Sequence, residues 1–134
     1  MQLGVIGLGR MGQIVVDRVL EAGHEVVAFD IDQGARADAA DAGADVVESI
    51  QAIPKVLDSP RHIWLMVPAG DPVDAALEEL DPLLSAEDVV VDGGNSHFAD
   101  SIDRADRIEA QYLDCGTSGG PARAHRGFSL LVGG

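Results

Sequence analysis

The clearest chemistry in this chain lies in Gly7-Leu8-Gly9-Arg10-Met11-Gly12, which sets glycines at the first, third and sixth positions of a hexapeptide. Gly7 permits a tight turn, Gly9 lets the backbone come close to a bound group, and Gly12 lets a following helix pack on a preceding strand. A loop that opens a helix in this way offers backbone N–H groups to an anion, and the pyrophosphate of a dinucleotide needs this geometry. Asp30 ends an apolar run about 20 residues further on, where a carboxylate can accept both hydroxyls of an adenine ribose and would repel a 2′-phosphate. This favours NAD over NADP. An aspartate there can also cap the next helix. Arg36 is the one cation placed to hold a 2′-phosphate, but it is expected within a helix and away from the strand end, with Asp32 adding negative charge.

Other chemistry-bearing residues follow later apolar runs. Val67-Pro68-Ala69-Gly70 is small and uncharged, suited to lie along a nicotinamide ribose or to form an ordinary turn. Asp92-Gly93-Gly94-Asn95-Ser96-His97 brings a donor and an acceptor in Asn95, behind glycines that let the backbone approach a ligand. Asp114-Cys115-Gly116-Thr117-Ser118-Gly119-Gly120 offers hydroxyls and free amides to a carboxylate or hydroxyl group. Ligands of open α/β sheets bind at the carboxyl ends of the strands, so these loops opposite a dinucleotide describe a substrate pocket. The cations of Pro121-Ala122-Arg123-Ala124-His125-Arg126 either help to hold an anionic substrate or form a solvated loop. No metal site is expected: His24, His62 and His97 lack ligand spacing, and Cys115 reads as a small buried hydrophobe.

Such loops need parallel strands to carry them. Short apolar runs at Leu3–Ile6, Glu25–Phe29, Ala44–Val47, Ile63–Val67, Val89–Val91 and Tyr112–Cys115 read as buried strands separated by helical periods. Met11, Ile14, Val15, Val19 and Ala22 mark the inner face of a first helix, ended by Gly23. Asp71 as cap, then Pro72 and Asp74, announces a helix with Val73, Ala76, Leu77 and Leu80 as its buried stripe. Phe98, Ile102, Ala105 and Ile108 make a further stripe, with Asp100–Arg104 and Asp103–Arg107 paired at i,i+4 on the opposite side. Gln33–Ala42 and Ser49–Asp58 are weaker helix candidates. The expected fold is α/β, a Rossmann-type doubly wound and mostly parallel sheet, with an extra edge strand at Phe128–Val132. Residues 1–134 are expected to form one domain.

Composition narrows the partners. Against 23 Asp+Glu stand 9 Lys+Arg, a formal charge of -14 that would repel nucleic acid and anionic membranes. The acid is mostly aspartate and Lys55 is the sole lysine, a balance expected of a halophile's protein, whose carboxylates hold water and cations at molar salt. No apolar run reaches the roughly 18 residues of a membrane span and the N-terminus lacks a signal-peptide pattern, so a cytoplasmic protein is expected. Cys115, the single cysteine, rules out an intrachain disulfide.

Over nearly its whole length the chain resembles the 6-phosphogluconate dehydrogenases of the β-hydroxyacid dehydrogenase group. GLGRMG from Gly7, VDGGNSHFADS from Val91, YLDCGTSGG from Tyr112 and LLVGG from Leu130 carry the likeness. Relatives acting on small hydroxyacids usually have Asp-x-Ser-Thr in place of Gly-Gly-Asn-Ser, and Ala-Pro-Val-Ser-Gly-Gly in place of Cys-Gly-Thr-Ser-Gly-Gly. The resemblance implies NAD-dependent oxidative decarboxylation of 6-phospho-D-gluconate to D-ribulose 5-phosphate, a step of the pentose phosphate pathway. It implies that Asn95, Ser118, Gly119 and Gly120 contact the sugar acid. The cofactor would be held by Gly7, Leu8, Gly9, Arg10, Met11, Gly12, Asp30, Val67, Pro68, Ala69 and Asn95. The family's lysine base and glutamate acid lie on a helical domain that follows, and are expected beyond Gly134. Lys55 does not match that motif, so no catalytic residue is assigned, and the chain is expected to be the cofactor domain of a longer, homo-oligomeric enzyme. Another β-hydroxyacid dehydrogenase, or a non-catalytic NAD-binding regulatory domain, is the alternative. A regulatory domain has no use for the Asn95 and Ser118 loops.

Overall fold

The computed structural model describes residues 1–94, 96–118 and 129–133. In chain order the elements are β1 (Gln2–Ile6), α1 (Arg10–Glu21), β2 (Glu25–Phe29), α2 (Gln33–Ala42), β3 (Asp45–Val46), α3 (Ala52–Val56), β4 (His62–Leu65), α4 (Asp71–Leu80), β5 (Val89–Asp92), α5 (Phe98–Arg107), β6 (Gln111–Ser118) and β7 (Ser129–Gly133). They build a 7-stranded sheet in the order β3-β2-β1-β4-β5-β6-β7, parallel apart from the antiparallel β7 edge. This is the expected doubly wound fold.

The central strands β1, β2, β4 and β5 are mostly apolar because both faces of the sheet are covered. Leu3 and Val5 share one core cluster with Val15 and Val16 of α1 and Ala39 of α2. Ile6 belongs to the other, with Ile53 of α3, Leu65 of β4 and Val73, Leu77 and Leu80 of α4. The period-2 alternation of β1 thus sorts its side chains between two helical layers. β1 lies between β2 and β4, where successive crossovers leave in opposite directions. That switch point opens a crevice at the carboxyl ends of the strands. At the other end of the sheet, the buried Asp88 carboxylate accepts from Arg61 N at 2.7 Å and Ser85 N at 2.8 Å and pairs with the Arg61 guanidinium at 3.1 Å. Burial alone would raise its pKa, but these donors outweigh it and hold the carboxyl below its ordinary value.

Several elements depart from the sequence expectation. The expected stripe Phe98, Ile102, Ala105 and Ile108 of α5 does not hold at its middle: Ile102 is 59% exposed and Ala105 is exposed, whereas Ser101 and Arg104 are buried, and the side chain of Phe98 lies outside the described residues. Of that stripe Ile108 is partly buried and packs against the core. The row 101, 104 and 108 turns inward because Asp92, buried at the end of β5, draws the Arg104 guanidinium to it. Arg104 therefore pairs with Asp74 at 2.8 Å and not with Asp100, while Asp103–Arg107 forms as expected at 3.0 Å. Gly70, at φ +95°, is the N-cap of α4 in place of Asp71, which begins the helix with Pro72; the buried stripe Val73, Ala76, Leu77 and Leu80 is as expected. Positive φ is the conformation that favours glycine there. α3 is shorter than the Ser49–Asp58 expected, β3 is trimmed to Asp45–Val46, and β4 is shifted to His62–Leu65, one residue earlier at its start and two at its end. β6 is longer, because β7 pairs antiparallel with Asp114–Ser118 and draws into the sheet residues expected to be loop. The edge strand runs over Ser129–Gly133, and Phe128 and Gly134 on either side of it lie outside the described residues.

Candidate functional site

Gly7 follows β1 at φ +99°, and its N–H donates to Phe29 O at 2.9 Å, tying the turn to β2. A Cβ on Gly7 would stand 2.5 Å from Met66 O, and one on Gly12 would overlap the Gly7 carbonyl oxygen. Helix, turn and the segment just after β4 therefore meet at distances that admit only hydrogen at these positions. Gly9 differs: a Cβ there would meet nothing within 4 Å, so the space beside it is open to a ligand. Gly9 is also the N-cap of α1, with no side-chain cap and no acidic residue in the first turn. The free N–H groups and positive helix end thus face that space, with Arg10 exposed and Met11 half-buried beside them. These residues fit a dinucleotide pyrophosphate.

Asp30 closes the same loop from β2. Its Oδ2 accepts from Leu8 N at 2.6 Å and its Oδ1 from Asp32 N at 2.8 Å. The cap of α2 is Asp32, which accepts from Ala35 N at 2.9 Å, so the alternative reading of Asp30 as a helix cap is excluded. Arg36, expected away from the strand end, folds its side chain back to it, donating to Asp30 O at 2.7 Å and lying over the Phe29 ring at 5.9 Å. Carbonyl oxygens and an aromatic face draw the guanidinium there.

Beyond β4, Val67 is half-buried and Pro68 and Ala69 are exposed. Beyond β5, a Cβ on Gly93 would overlap Trp64 Nε1 and stand 2.5 Å from Met66 Sδ, and one on Gly94 would stand 2.5 Å from Val67 O. The glycine pair, expected to admit a ligand, makes its close approach instead to β4 and the loop after it. The two loops lie against each other along the edge that holds the glycine turn, since Met66 N donates to Ile6 O and Gly93 N to Leu65 O, each at 2.7 Å. Asn95, Gly119 and Gly120 lie outside the described residues, as do Arg123 and Arg126. So does Gly134, beyond which the family's lysine base and glutamate acid are expected, and the described residues therefore assign neither. Ser118 sits in β6 paired with Ser129, not in a free loop.

Behind these loops is a polar cluster that the sequence reading missed. Asp92, fully buried, accepts from Gly94 N at 2.9 Å and from the hydroxyls of Ser96 and Tyr112, each at 2.5 Å. Arg104, 2% exposed, lies 3.6 Å from Asp92 and donates to Ser96 Oγ at 2.9 Å, Asp74 Oδ1 at 2.8 Å and Gly70 O at 3.3 Å. Burial, then the hydrogen bond to Asp92, pushes the Tyr112 phenol far above its ordinary range. The Arg104 hydrogen bond holds the Asp74 carboxyl low, while burial and the neighbouring Asp92 raise that of Asp114. An aspartate ending the apolar run Val89–Val91 was the available signal, since a carboxylate so placed needs a buried cation.

The family model for the NAD-binding domain of 6-phosphogluconate dehydrogenase matches residues 2–134. The chain belongs to this family. An NAD(+)-dependent, decarboxylating 6-phosphogluconate dehydrogenase of Haloferax volcanii is 66% identical over 100% of the chain, which spans 45% of that relative. A Bacillus subtilis enzyme of the same description is 36% identical over 98% of the chain and 30% of its own length. The chain thus spans less than half of either relative. Among solved structures, Plasmodium falciparum 6-phosphogluconate dehydrogenase, described apo, with NADP+ and with 6-phosphogluconate, superposes with a TM-score of 0.85 at 26% identity, over 100% of the chain and 31% of its own. Mycobacterium tuberculosis 3-hydroxyisobutyrate dehydrogenase gives 0.86 at 24% identity over 99% of the chain and 46% of its own, a likeness of fold. In this NAD-binding domain the glycine turn, Asp30 and the Val67–Ala69 loop are gathered on one sheet edge.

Proposed function

We propose that the domain binds NAD in preference to NADP and serves a longer protein that oxidatively decarboxylates 6-phospho-D-gluconate to D-ribulose 5-phosphate. The observation that carries this is the joining of the open α1 N-terminus at Gly9 to a strand-end carboxylate, Asp30, in a chain 66% identical to an NAD-dependent enzyme of that name. Gly7 to Gly12 would hold the pyrophosphate, Asp30 the adenine ribose, and Val67, Pro68 and Ala69 the nicotinamide side. The Arg36 guanidinium stands at the same strand end, donating to the Asp30 carbonyl, so the preference for NAD rests on the Asp30 carboxylate, which would repel a 2′-phosphate. Bound NAD supplies the acceptor for hydride from C3, creating the ketone β to the carboxylate that lets carbon dioxide depart.

Asn95, Ser118, Gly119 and Gly120 would orient the sugar acid, and Asn95 would also border the cofactor. The base for the C3 hydroxyl is not Lys55, which is exposed in the last turn of α3, on the chain's approach to β4 and so toward the opposite edge of the sheet. That base and the acid for the final protonation would come from the segment that follows Gly134 in the longer protein. A cytoplasmic protein of a salt-loving cell completes the reading, supported by the free buried thiol of Cys115 and the charge of -14, and the longer protein would assemble as a homo-oligomer, as the family resemblance implies.

Calorimetry in molar KCl tests the cofactor assignment. NAD should bind at least about tenfold more tightly than NADP, and Asp30→Ala should erase the preference. Equal affinities in the parent, or an unchanged ratio in the variant, refute it. With 6-phosphogluconate and NAD, the complete protein should form NADH and carbon dioxide. The 134-residue chain alone should bind NAD without turnover, and NADH at an appreciable rate from it would show that the base lies within these residues.

A further inference from the structure

Among the described residues Arg104 is the one guanidinium of the buried Asp92 cluster, and its fork reaches both loops of the proposed pocket. Nη2 donates to Gly70 O, at the end of the Val67–Gly70 loop, at 3.3 Å. Nη1 donates to Ser96 Oγ, beside Asn95, at 2.9 Å and stands 3.6 Å from Asp92. Nε is anchored on Asp74 of α4 at 2.8 Å. Each partner in turn holds backbone. Gly70 O accepts from Val73 N at 3.1 Å and Asp74 N at 3.2 Å, and Asp92 Oδ1 accepts from Gly94 N at 2.9 Å. Only a planar fork can serve these directions together, since a lysine ammonium would reach one or two of them.

We propose that Arg104 is a positioning residue that locks the Val67–Gly70 loop to the Gly93–Ser96 loop, and so sets the distance between the nicotinamide side of the pocket and the loop that carries Asn95. The assignment of ligands to the two loops rests on the proposed function; the lock itself is a property of the ligand-free chain. A catalytic hydride transfer depends steeply on the separation of donor and acceptor, and a misplacement of about 1 Å can reduce rate by about 100-fold. Arg104 therefore acts on turnover without touching a reacting atom.

Amide hydrogen exchange on the full chain tests the lock. In Arg104→Met, exchange at Gly94 and at Val73 and Asp74 should rise together by about tenfold or more, while Gly7, held by Phe29 O, stays within about twofold. Ser96→Ala removes one Arg104 contact, leaves the guanidinium and covers the case in which Arg104→Met does not fold. Its effect should appear across the pocket, at Val73 and Asp74, as well as at Gly94. Acceleration confined to Gly94, or spread equally to Gly7, overturns the proposal. In the complete enzyme, Ser96→Ala and Arg104→Met should lower kcat by about tenfold or more with the KM for NAD within about threefold; a parallel loss in both reads as general damage and overturns the positioning role. If the parent does not turn over 6-phosphogluconate, the proposed function fails while the exchange result still decides the lock.

Discussion

Replacing Tyr112 by Phe keeps a buried ring of nearly the same volume and removes one hydroxyl, which donates to the buried Asp92 at 2.5 Å. A hydrogen bond to a charged group contributes about 1.5–3 kcal/mol. Asp92 keeps Gly94 N, the Ser96 hydroxyl and the Arg104 guanidinium, so the loss should lie toward the lower end, about 2 kcal/mol. For a chain of this size that is roughly 6–10 °C in Tm. The deficit should also depend on pH. The phenol's pKa is raised above its ordinary 10.0, first by burial and then by the bond to Asp92. Above pH 10 the unfolded chain therefore releases this proton while the folded chain keeps it, and stability falls as pH rises, by up to about 1.4 kcal/mol per unit. The variant has no phenol to lose, so a gap of about 2 kcal/mol at neutral pH should shrink to roughly 0.6 at about pH 11. Cys115, whose thiol burial also pushes up, titrates in both proteins and cancels. Because the chain has a single tyrosine, phenolate absorbance reports this group alone. Thermal melts of both proteins at neutral pH and about pH 11 in molar KCl, with absorbance titration of the folded parent, make the measurement. A pH-independent gap, or phenolate appearing near pH 10 in the folded protein, would refute the placement of Tyr112 against Asp92.

Two further predictions concern the glycine turn and the charge. Gly9→Ala should leave Tm within about 2 °C yet weaken NAD binding by about tenfold or more, because the space its Cβ enters is empty of protein; Gly12→Ala should lower Tm outright, because its Cβ overlaps the Gly7 carbonyl. Calorimetric titration and thermal melts separate the two, and equal behaviour would sink the distinction. Tm should rise steadily from dilute buffer to molar KCl, since a charge of -14 repels itself until the Debye length falls to about 3 Å; a flat profile would remove the salt-adapted reading.

The sheet was legible in the sequence because its signals are redundant. Each parallel strand overlaps one of the short apolar runs, and the glycine turn lies between the first of them and a helix whose stripe repeats at helical period. Gln33–Ala42 is a weak candidate on apolar pattern alone, yet its bounds match α2, because Asp32 caps one end and Gly43, at φ +113°, closes the other. α5 misleads for a reason that also hides part of the site. Apolar periodicity points to Ile102 and Ala105, but an unpaired Asp92 in the core would be far more costly than an exposed isoleucine, so the arginine row turns inward. A polar requirement set by another element is invisible to a helix's own pattern. The extension of β6 is hidden in the same way, since it depends on a partner strand that returns from later in the chain.

The glycine pair after β5 shows how a motif can be demanded by packing and still mark a site. Trp64, Met66 and Val67 leave no room for a Cβ at Gly93 or Gly94, so these residues would be required in a domain that bound only a dinucleotide. Gly93 and Gly94 therefore do not by themselves separate an enzyme's domain from a regulatory one, and substitutions at Asn95 and Ser118 are the ones that would. Arg104 falls between the two cases. Asp92 needs a buried cation for stability alone, but stability does not require that cation to reach Gly70 O and Ser96 Oγ as well. That reach across two loops, more than the buried charge itself, is the feature that a domain shaped for turnover has reason to keep.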